Sequence, residues 1–243
     1  MKVLVCMSVV PDTTTKITFT ENNTQFNKDG VQFIINPYDE LAITRGLELA
    51  EANSGTVTVV HVGPAENEAS IRKALSMGVN EAIRIDAPAT DAQFVAEQIA
   101  VIAKEYDLIL TGRESIDYNG GAVCGLLGAL LDIPSVNVVT EINFADGKFS
   151  FTRDIDGGRE MVSCSAPVVA SAQKDLCEPR IPNMRGIMAA RTKPLQVLAP
   201  IQSTQASSYV AYESPAPKGG VKLIDADNAS ELVNILRNEL KVI

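Results

Sequence analysis

The sequence of 243 residues contains no tryptophan and a single histidine. Its four cysteines form no CxxC pair and no spacing typical of a zinc site, so we interpret them as reduced packing residues. No apolar run approaches the roughly 18 to 20 residues that a helix needs to span a bilayer. The first residues lead into a strand-like run without the pattern of a cleavable signal, so we expect a cytoplasmic protein.

Positive charge is also scarce, with 21 Lys and Arg residues against 30 Asp and Glu residues and a formal net charge of -9. Cationic surface supplies most of the affinity of proteins for phosphate backbones and for anionic lipid. We therefore expect neither nucleic-acid binding nor membrane insertion. The hydrophobic fraction of 46% in a chain of this length predicts a buried core and excludes a disordered protein.

Groups that commonly catalyse reactions are few. His61 lies near the end of an apolar run, where a hydrogen-bonded structural role is more typical than that of a general base. The sequence contains no HExxH, GxSxG or P-loop motif, and its acidic residues are spread along helix surfaces and turns. We predict no catalytic site in this chain alone and no resident metal.

Apolar runs alternate with helix-patterned stretches through the first part of the chain. The runs are residues 3–7, 56–62, 82–85, 108–110 and 136–139, and the helical stretches are 38–52, 66–77, 92–104 and 124–131. In the first helical stretch, Ile43, Leu47 and Ala50 form an apolar stripe, with Thr44 and Glu51 on the opposite side. The alternation predicts an α/β fold, an open, mostly parallel sheet with helices on both faces.

Two regions interrupt this alternation. Residues 16–35 contain β-type runs around polar turns and predict a hairpin-like, β-rich insertion, and residues 141–172 form a second β-rich stretch. After residue 200, the composition shifts to Ser, Gln, Ala, Pro and Gly before an apolar helix at 228–240. We predict a nucleotide-binding α/β domain at 1–200, and a C-terminal arm at 201–243 whose helix docks on a partner subunit.

The strongest local signal is the glycine-containing stretch 111–123, between a predicted strand and a predicted helix. Open parallel sheets place ligand-binding loops here, and small residues let backbone amides approach a phosphate. A glycine-rich turn without a ligand is an equally good interpretation. Similarly, Asn36 and Asp39 would either contact a nucleotide or cap the following helix.

Several short motifs together resemble the β subunit of electron-transfer flavoprotein over nearly the whole chain. They are Val10-Pro11-Asp12-Thr13, Asn36-Pro37-Tyr38-Asp39-Glu40, Ala74-Leu75-Ser76-Met77-Gly78, Gly112-Arg113-Glu114-Ser115-Ile116-Asp117, Arg153-Asp154-Ile155-Asp156-Gly157-Gly158 and Glu178-Pro179-Arg180. The resemblance implies a non-catalytic electron carrier that acts in fatty acid oxidation as a heterodimer. In this family, an α subunit holds most contacts to a redox-active FAD, and the β subunit typically holds AMP.

The resemblance also implies roles for individual residues. The AMP pocket would comprise Cys6, Asn36, Pro37, Tyr38, Asp39, Val62, Gly112, Arg113, Ser115, Ile116, Asp117, Asn119, Gly120, Gly121, Ala122 and Val123. Arg153 and Asp154 match a pair near the flavin-bearing domain, although an exposed ion pair beside a turn fits the sequence equally well. Residues 178–193 would dock acyl-CoA dehydrogenases through Met184, Ile187 and Met188, whereas packing is the ordinary role of such residues.

Some positions depart from the family pattern. Ser8 and Val9 replace a basic or polar pair, Gly121-Ala122 replaces Asn-Gln, and the cations after Met184 are reduced to Arg185, Arg191 and Lys193. The implied function is electron transfer from acyl-CoA dehydrogenases to a membrane quinone oxidoreductase of the respiratory chain. Two alternatives remain: an electron-bifurcating relative that holds a second FAD and oxidises NADH, and a stand-alone adenine-nucleotide-binding module.

Overall fold

The computed structural model describes residues 1–203 and 205–243. The strands are β1 Lys2–Cys6, β2 Val9–Pro11, β3 Phe19–Thr20, β4 Gln25–Phe26, β5 Phe33–Ile35, β6 Thr56–Val62, β7 Glu81–Ile85, β8 Leu108–Gly112, β9 Ser135–Ala145, β10 Lys148–Ile155, β11 Gly158–Ser165, β12 Val168–Ala172 and β13 Leu195–Leu198. The helices are α1 Pro37–Ala52, α2 Glu68–Ser76, α3 Ala92–Ala103, α4 Val123–Leu131, α5 Met184–Ala190 and α6 Ala229–Asn234. None of these described helices is both long and apolar enough to cross a bilayer.

Within the described residues, nine strands form one sheet in the order β11-β10-β9-β12-β8-β1-β6-β7-β13. β1 pairs in parallel with β6 on one side and with β8 on the other, and parallel pairing continues outward to β13 and β9. β10 pairs antiparallel with both β9 and β11. The structure confirms the predicted open, mostly parallel α/β sheet.

Each face of the sheet carries its own hydrophobic cluster. On one face, Ile43 of α1 and Leu75 of α2 belong to the same cluster as Val5 of β1. On the other face, Ile99 of α3 and Leu127 of α4 form a cluster with apolar side chains from the opposite side of the strands. Because successive strand residues point to opposite faces, a strand covered on both faces needs a continuous apolar run. The two clusters show that helices cover both faces of the sheet, as predicted.

The winding of the chain reverses at β1. From β1 the chain continues through α1 to β6 and β7 on one side, and it then returns through α3 to β8 on the other side. α1 and α4, which follow β1 and β8, lie on opposite faces. The carboxyl ends of β1 and β8 therefore border the kind of crevice in which open α/β sheets bind ligands.

The strands β9, β10 and β11 form an antiparallel ribbon at one edge of the sheet. The predicted turn at Asp146-Gly147 has positive φ at both residues, as in the two-residue loops that join twisted strands. Phe149 and Phe151 of β10 are buried, and their ring centroids lie 5.9 Å apart. β11 is the edge strand and is largely exposed.

The insertion after β1 contains two separate β pairs rather than one hairpin. β3 and β4 pair as a hairpin whose strands are each two residues long. Residues 16–18, which we expected in a strand, therefore lie outside it. The second predicted run supplies β5, which pairs with β2 instead. The backbone amide of Asn36, directly after β5, donates to the backbone carbonyl of Ser8 at 3.1 Å. This pairing brings the start of α1 to the carboxyl end of β1.

The chain divides into two compact units: Met1–Ile17 with Asn27–Val210, and Thr18–Phe26 with Ala211–Ile243. In the second unit, the ring of Tyr212 stacks on that of Phe19 with centroids 4.7 Å apart. The predicted C-terminal helix forms as α6 followed by a π-helical turn at Ile235–Glu239. Its docking on a partner subunit remains a prediction.

Candidate functional site

Asp39 lies in the first turn of α1, beside the ends of β1 and β8, and only 4% of its surface is exposed. Its Oδ2 accepts hydrogen bonds from the amide of Ser8 at 2.7 Å and from the hydroxyl of the same residue at 2.6 Å. Its Oδ1 accepts one from the amide of Gly112 at 2.9 Å. A single carboxyl group thus joins the chain at the ends of β1 and β8.

Gly112 comes unusually close to α1. A Cβ atom at this position would lie 2.2 Å from Oδ1 of Asp39 and 2.8 Å from Cβ of Tyr38, well inside van der Waals contact. The hydrogen bond between the two residues therefore requires a residue without a side chain at the end of β8.

Asn36 holds the loop that follows β8. Its Nδ2 donates to the carbonyl of Glu114 at 2.8 Å, and its Oδ1 accepts from the amide of Ile116 at 3.3 Å. The sequence leaves two roles open for Asn36 and Asp39, a ligand contact or a helix cap. In the structure, both side chains bind neighbouring parts of the chain at the crevice, which neither interpretation anticipates.

The ionisable groups at the crevice are strongly affected by burial. Burial raises the pKa of Asp39 from an ordinary value of 3.8 to about 6, although the hydrogen bonds it accepts act in the opposite direction. Burial also raises the pKa of the Cys6 thiol well above its usual range and that of Cys124 to about 12. Both thiols are therefore neutral at physiological pH and poorly nucleophilic.

We expect the stability difference between the wild type and Asp39→Asn to depend on pH. Between about pH 4 and pH 6, the folded wild type binds more protons than the unfolded chain, so its stability falls as the pH rises. At roughly 1.4 kcal/mol per pKa unit, the wild type should lose about 2 to 3 kcal/mol relative to the non-titrating variant. Urea unfolding across this pH range measures the loss, with Asp156→Asn, at an exposed turn, as the control. A constant difference would contradict a buried, titrating Asp39.

The loop after β8 folds back on itself before α4. The amide of Ser115 donates to the Gly120 carbonyl at 2.9 Å, and Asn119 adopts a left-handed conformation with φ 56°. The ring of Tyr118 meets that of Tyr209 edge to face, with centroids 6.5 Å apart. The loop therefore has a defined shape when it reaches the start of α4.

α4 begins at Val123, and no side chain caps it within the described residues. Gly121 and Ala122, which precede it, are exposed. The first amides of a helix have no partner in the helix and carry partial positive charge. This end of the crevice therefore fits an anionic group such as a phosphate. Cys6 and Val62, at the carboxyl ends of β1 and β6, share a hydrophobic cluster with Cys124 of α4, so these two predicted pocket residues lie at the same edge of the sheet.

Both ring nitrogens of His61 have hydrogen-bond partners, as the sequence interpretation expects. Its Nδ1 lies 2.8 Å from the carbonyl of Met7, and its Nε2 lies 2.9 Å from Nδ2 of Asn67. Burial lowers the pKa of His61, and the positive charge of Arg84 lowers it further. A neutral ring that carries its proton on Nδ1 satisfies both hydrogen bonds, because Asn67 then donates to Nε2.

Arg153 and Asp154 do not pair with each other. Arg153 Nη1 lies 3.6 Å from Oε2 of Glu160, and Oδ1 of Asp154 lies 3.3 Å from Nε of Arg159. The two residues thus form neighbouring cross-strand ion pairs between β10 and β11, near the turn that joins these strands. Their predicted proximity to a flavin-bearing domain remains a prediction.

Residues 178–193, which we call the docking segment, expose several apolar side chains. Ile181 is 87% exposed, Met184 is 73% exposed and Met188 is 58% exposed, and Ile187 is also exposed. In α5, Met184, Ile187 and Met188 have the i, i+3, i+4 spacing that places side chains on one helix face. These four residues form what we call the docking surface. Exposure on this scale is typical of residues that contact another protein.

The start of the docking segment is fixed to α1. Nη1 and Nη2 of Arg180 donate to the two carboxylate oxygens of Glu51 at 2.7 and 3.0 Å. The amide of Arg180 donates to Oγ1 of Thr44 at 2.9 Å, and Thr44 is buried. Thr44, which the sequence pattern places opposite the apolar stripe of α1, is thus covered by the docking segment.

The other end of the segment is fixed to α2. Nη1 of Arg72 donates to the carbonyls of Ala190 and Lys193 at 2.9 and 2.8 Å. Nζ of Lys193 donates to the carbonyls of Leu75 and Val79 at 3.0 and 2.6 Å. Lys193 was expected among the cations that accompany Met184, but its charge is directed into the protein. Sequence reasoning missed these anchors because contacts between distant segments leave no spacing signal.

A groove of about 470 Å³ lies beside the docking segment, lined by Met77, Arg180, Asn183 and Arg185 among others. It is separate from the crevice at β1 and β8. The described residues contain no group of three or more His, Cys, Asp or Glu side chains that could hold a metal ion.

The sequence model of the electron transfer flavoprotein domain matches residues 23–203. Electron transfer flavoprotein subunit beta of Bacillus subtilis (strain 168) is 36% identical over 259 residues that cover 100% of both chains. The subunit beta of Syntrophomonas wolfei is 32% identical, covering 100% of this chain and 98% of that protein, and the Homo sapiens subunit beta is 30% identical with 92% of each covered. The chain therefore belongs to the electron transfer flavoprotein family, among its beta subunits.

Proposed function

We propose that this chain is the β subunit of a heterodimeric electron carrier whose α subunit holds most contacts to FAD. The heterodimer accepts electrons from acyl-CoA dehydrogenases and passes them to a membrane quinone oxidoreductase. The observation that carries the proposal is sequence similarity along the full length of the chain to proteins named subunit beta. That name implies a companion subunit. This chain contributes a scaffold, a nucleotide site and a docking surface, and FAD supplies the redox chemistry.

We propose that the nucleotide site at the crevice holds AMP. The uncapped start of α4, at Val123, would hold the phosphate through backbone amides. Asn36, Asp39 and Gly112 keep the loop and the strand ends in place beneath it through the hydrogen bonds described above. Because the side chains of Asn36 and Asp39 are already hydrogen-bonded to other parts of the chain, AMP would meet mainly backbone groups there. Backbone recognition is compatible with Gly121-Ala122 in place of Asn-Gln.

The docking surface fits an apolar pocket on an acyl-CoA dehydrogenase. Methionine is flexible and fills irregular pockets, and exposed Met184 would be its main anchor. The contacts of Arg180, Arg72 and Lys193 hold the segment without using any of the four docking side chains. The surface is thus free to meet a partner while the segment stays fixed to α1 and α2.

Co-expression with the α subunit of the same organism tests this function. We expect the two chains to purify together and, after denaturation, to release one FAD and one AMP per heterodimer. The complex should be reduced by an acyl-CoA dehydrogenase in the presence of its acyl-CoA. Two FAD molecules and oxidation of NADH would instead support the bifurcating alternative. A chain that purifies alone and binds AMP without a flavin partner would support the stand-alone module.

Ala122→Asp tests the phosphate site. A carboxylate at the start of α4 would bind the free amides itself and repel the phosphate of AMP. We therefore expect the AMP content to fall about 10-fold or more. Ala129→Asp, exposed near the other end of α4, is the matched control and should leave AMP content unchanged. Chromatography of the nucleotides released from equal amounts of heterodimer measures both. Equal AMP content in the two variants would place the phosphate elsewhere.

A further inference from the structure

Apart from the partly buried Met1, the methionines of the described residues fall into two environments. Met7 and Met77 are buried, each with 4% of its surface exposed. Met161 on β11 is 81% exposed, and Met184 and Met188 are 73% and 58% exposed on the docking surface. The docking surface therefore presents two accessible thioethers four residues apart on one face of α5.

We propose that Met184 and Met188 form an oxidation site at which hydrogen peroxide reversibly weakens docking. This inference rests on the proposed docking function. Peroxide transfers one oxygen atom to the thioether sulfur. The sulfur is oxidised by two electrons to the sulfoxide, and the peroxide is reduced to water. Methionine sulfoxide reductases restore the thioether.

Oxidation changes the chemistry of the docking surface more than its shape. A sulfoxide is polar, and burying a polar group in an apolar pocket without a hydrogen bond is costly. Two sulfoxides on the same helix face would both have to lose water when the surface is covered. The segment itself should stay folded, because Arg180, Arg72 and Lys193 hold it through contacts that involve no methionine side chain. The effect is therefore confined to association.

Met161 provides an internal control. It is at least as exposed in this chain as the other two, but it lies on β11, outside the docking segment. Oxidation at this position should not affect docking. The buried Met7 and Met77 should remain unoxidised in the folded protein.

The test treats the intact heterodimer with hydrogen peroxide and locates the sulfoxides by peptide mass spectrometry. We expect sulfoxide at Met184 and Met188, and a rise of about 10-fold or more in the KM of an acyl-CoA dehydrogenase for the heterodimer. Methionine sulfoxide reductases A and B together should restore the original KM. Peroxide should not change the KM of a double variant, Met184→Leu with Met188→Leu, from the value of the same variant before treatment, whereas Met161→Leu should remain sensitive.

The inference is overturned if the double variant loses docking after peroxide as the wild type does, or if the oxidised wild type keeps its KM. If the dehydrogenase does not reduce even the untreated heterodimer, the proposed docking function itself fails. The thermal midpoint of the oxidised protein separates weakened docking from unfolding, and we expect it to stay close to that of the untreated protein.

Discussion

Gly112→Ala is expected to lower the free energy of unfolding by about 4 kcal/mol. The new methyl group would lie 2.2 Å from Oδ1 of Asp39, so the end of β8 and the start of α1 would have to separate. Overpacking of this kind costs about 1 to 3 kcal/mol, and losing a hydrogen bond to a charged group adds about 1.5 to 3 kcal/mol. Urea unfolding of the purified protein measures the change.

Gly125→Ala is the matched control for this substitution. Gly125 lies inside α4, and a Cβ added there would meet no atom within 4 Å. Alanine is the better helix former by up to about 1 kcal/mol, so this variant should be slightly more stable than the wild type. The two substitutions are chemically identical and should change stability in opposite directions. A Gly112→Ala protein within about 1 kcal/mol of the wild type would show that α1 and β8 separate easily.

Met184→Asp is expected to weaken docking to an acyl-CoA dehydrogenase by about 100- to 1000-fold. An exposed anchor that enters an apolar pocket is the kind of residue that dominates an interface. A carboxylate at this position would have to leave water without a counterion, which adds a desolvation cost. Surface plasmon resonance between the heterodimer and the immobilised dehydrogenase measures the change.

Met161→Asp places the same charge at a methionine on β11 that is at least as exposed in this chain, and it should leave docking unchanged. Both variants should keep wild-type stability, because neither side chain is buried in the folded chain. If Met184→Asp and Met161→Asp bind the dehydrogenase equally well, the docking surface lies elsewhere.

Local pattern was sufficient to predict much of the fold. The apolar runs mark the central strands because both faces of those strands are covered, and α4 begins within one residue of the predicted helix. The turn at Asp146-Gly147 was predictable because its residues tolerate positive φ. The division of residues 16–35 into two β pairs was not, since the partner of β5 is β2 rather than its neighbour in sequence.

The candidate site was predicted in composition but not in detail. The stretch 111–123 and the motif around Asn36 lie at one edge of the sheet, where the strand order of an α/β fold places them. The roles of Asp39 and Asn36 depend on Ser8 and Glu114, which are far from them in sequence. The sequence likewise predicts Lys193 to be a surface cation, because its contacts with the carbonyls at the end of α2 are made by a distant segment.

The anchoring of α5 has a consequence for how a partner associates. The side chain of Asn183 accepts a hydrogen bond from Gly186 at the start of this helix, and Arg72 binds its end, so the helix has its final shape beforehand. Such a pre-organised surface forms an encounter complex without coupled folding, and little entropy of ordering opposes it. The heat-capacity change on association should therefore match the apolar area covered, with no additional contribution from a segment that folds.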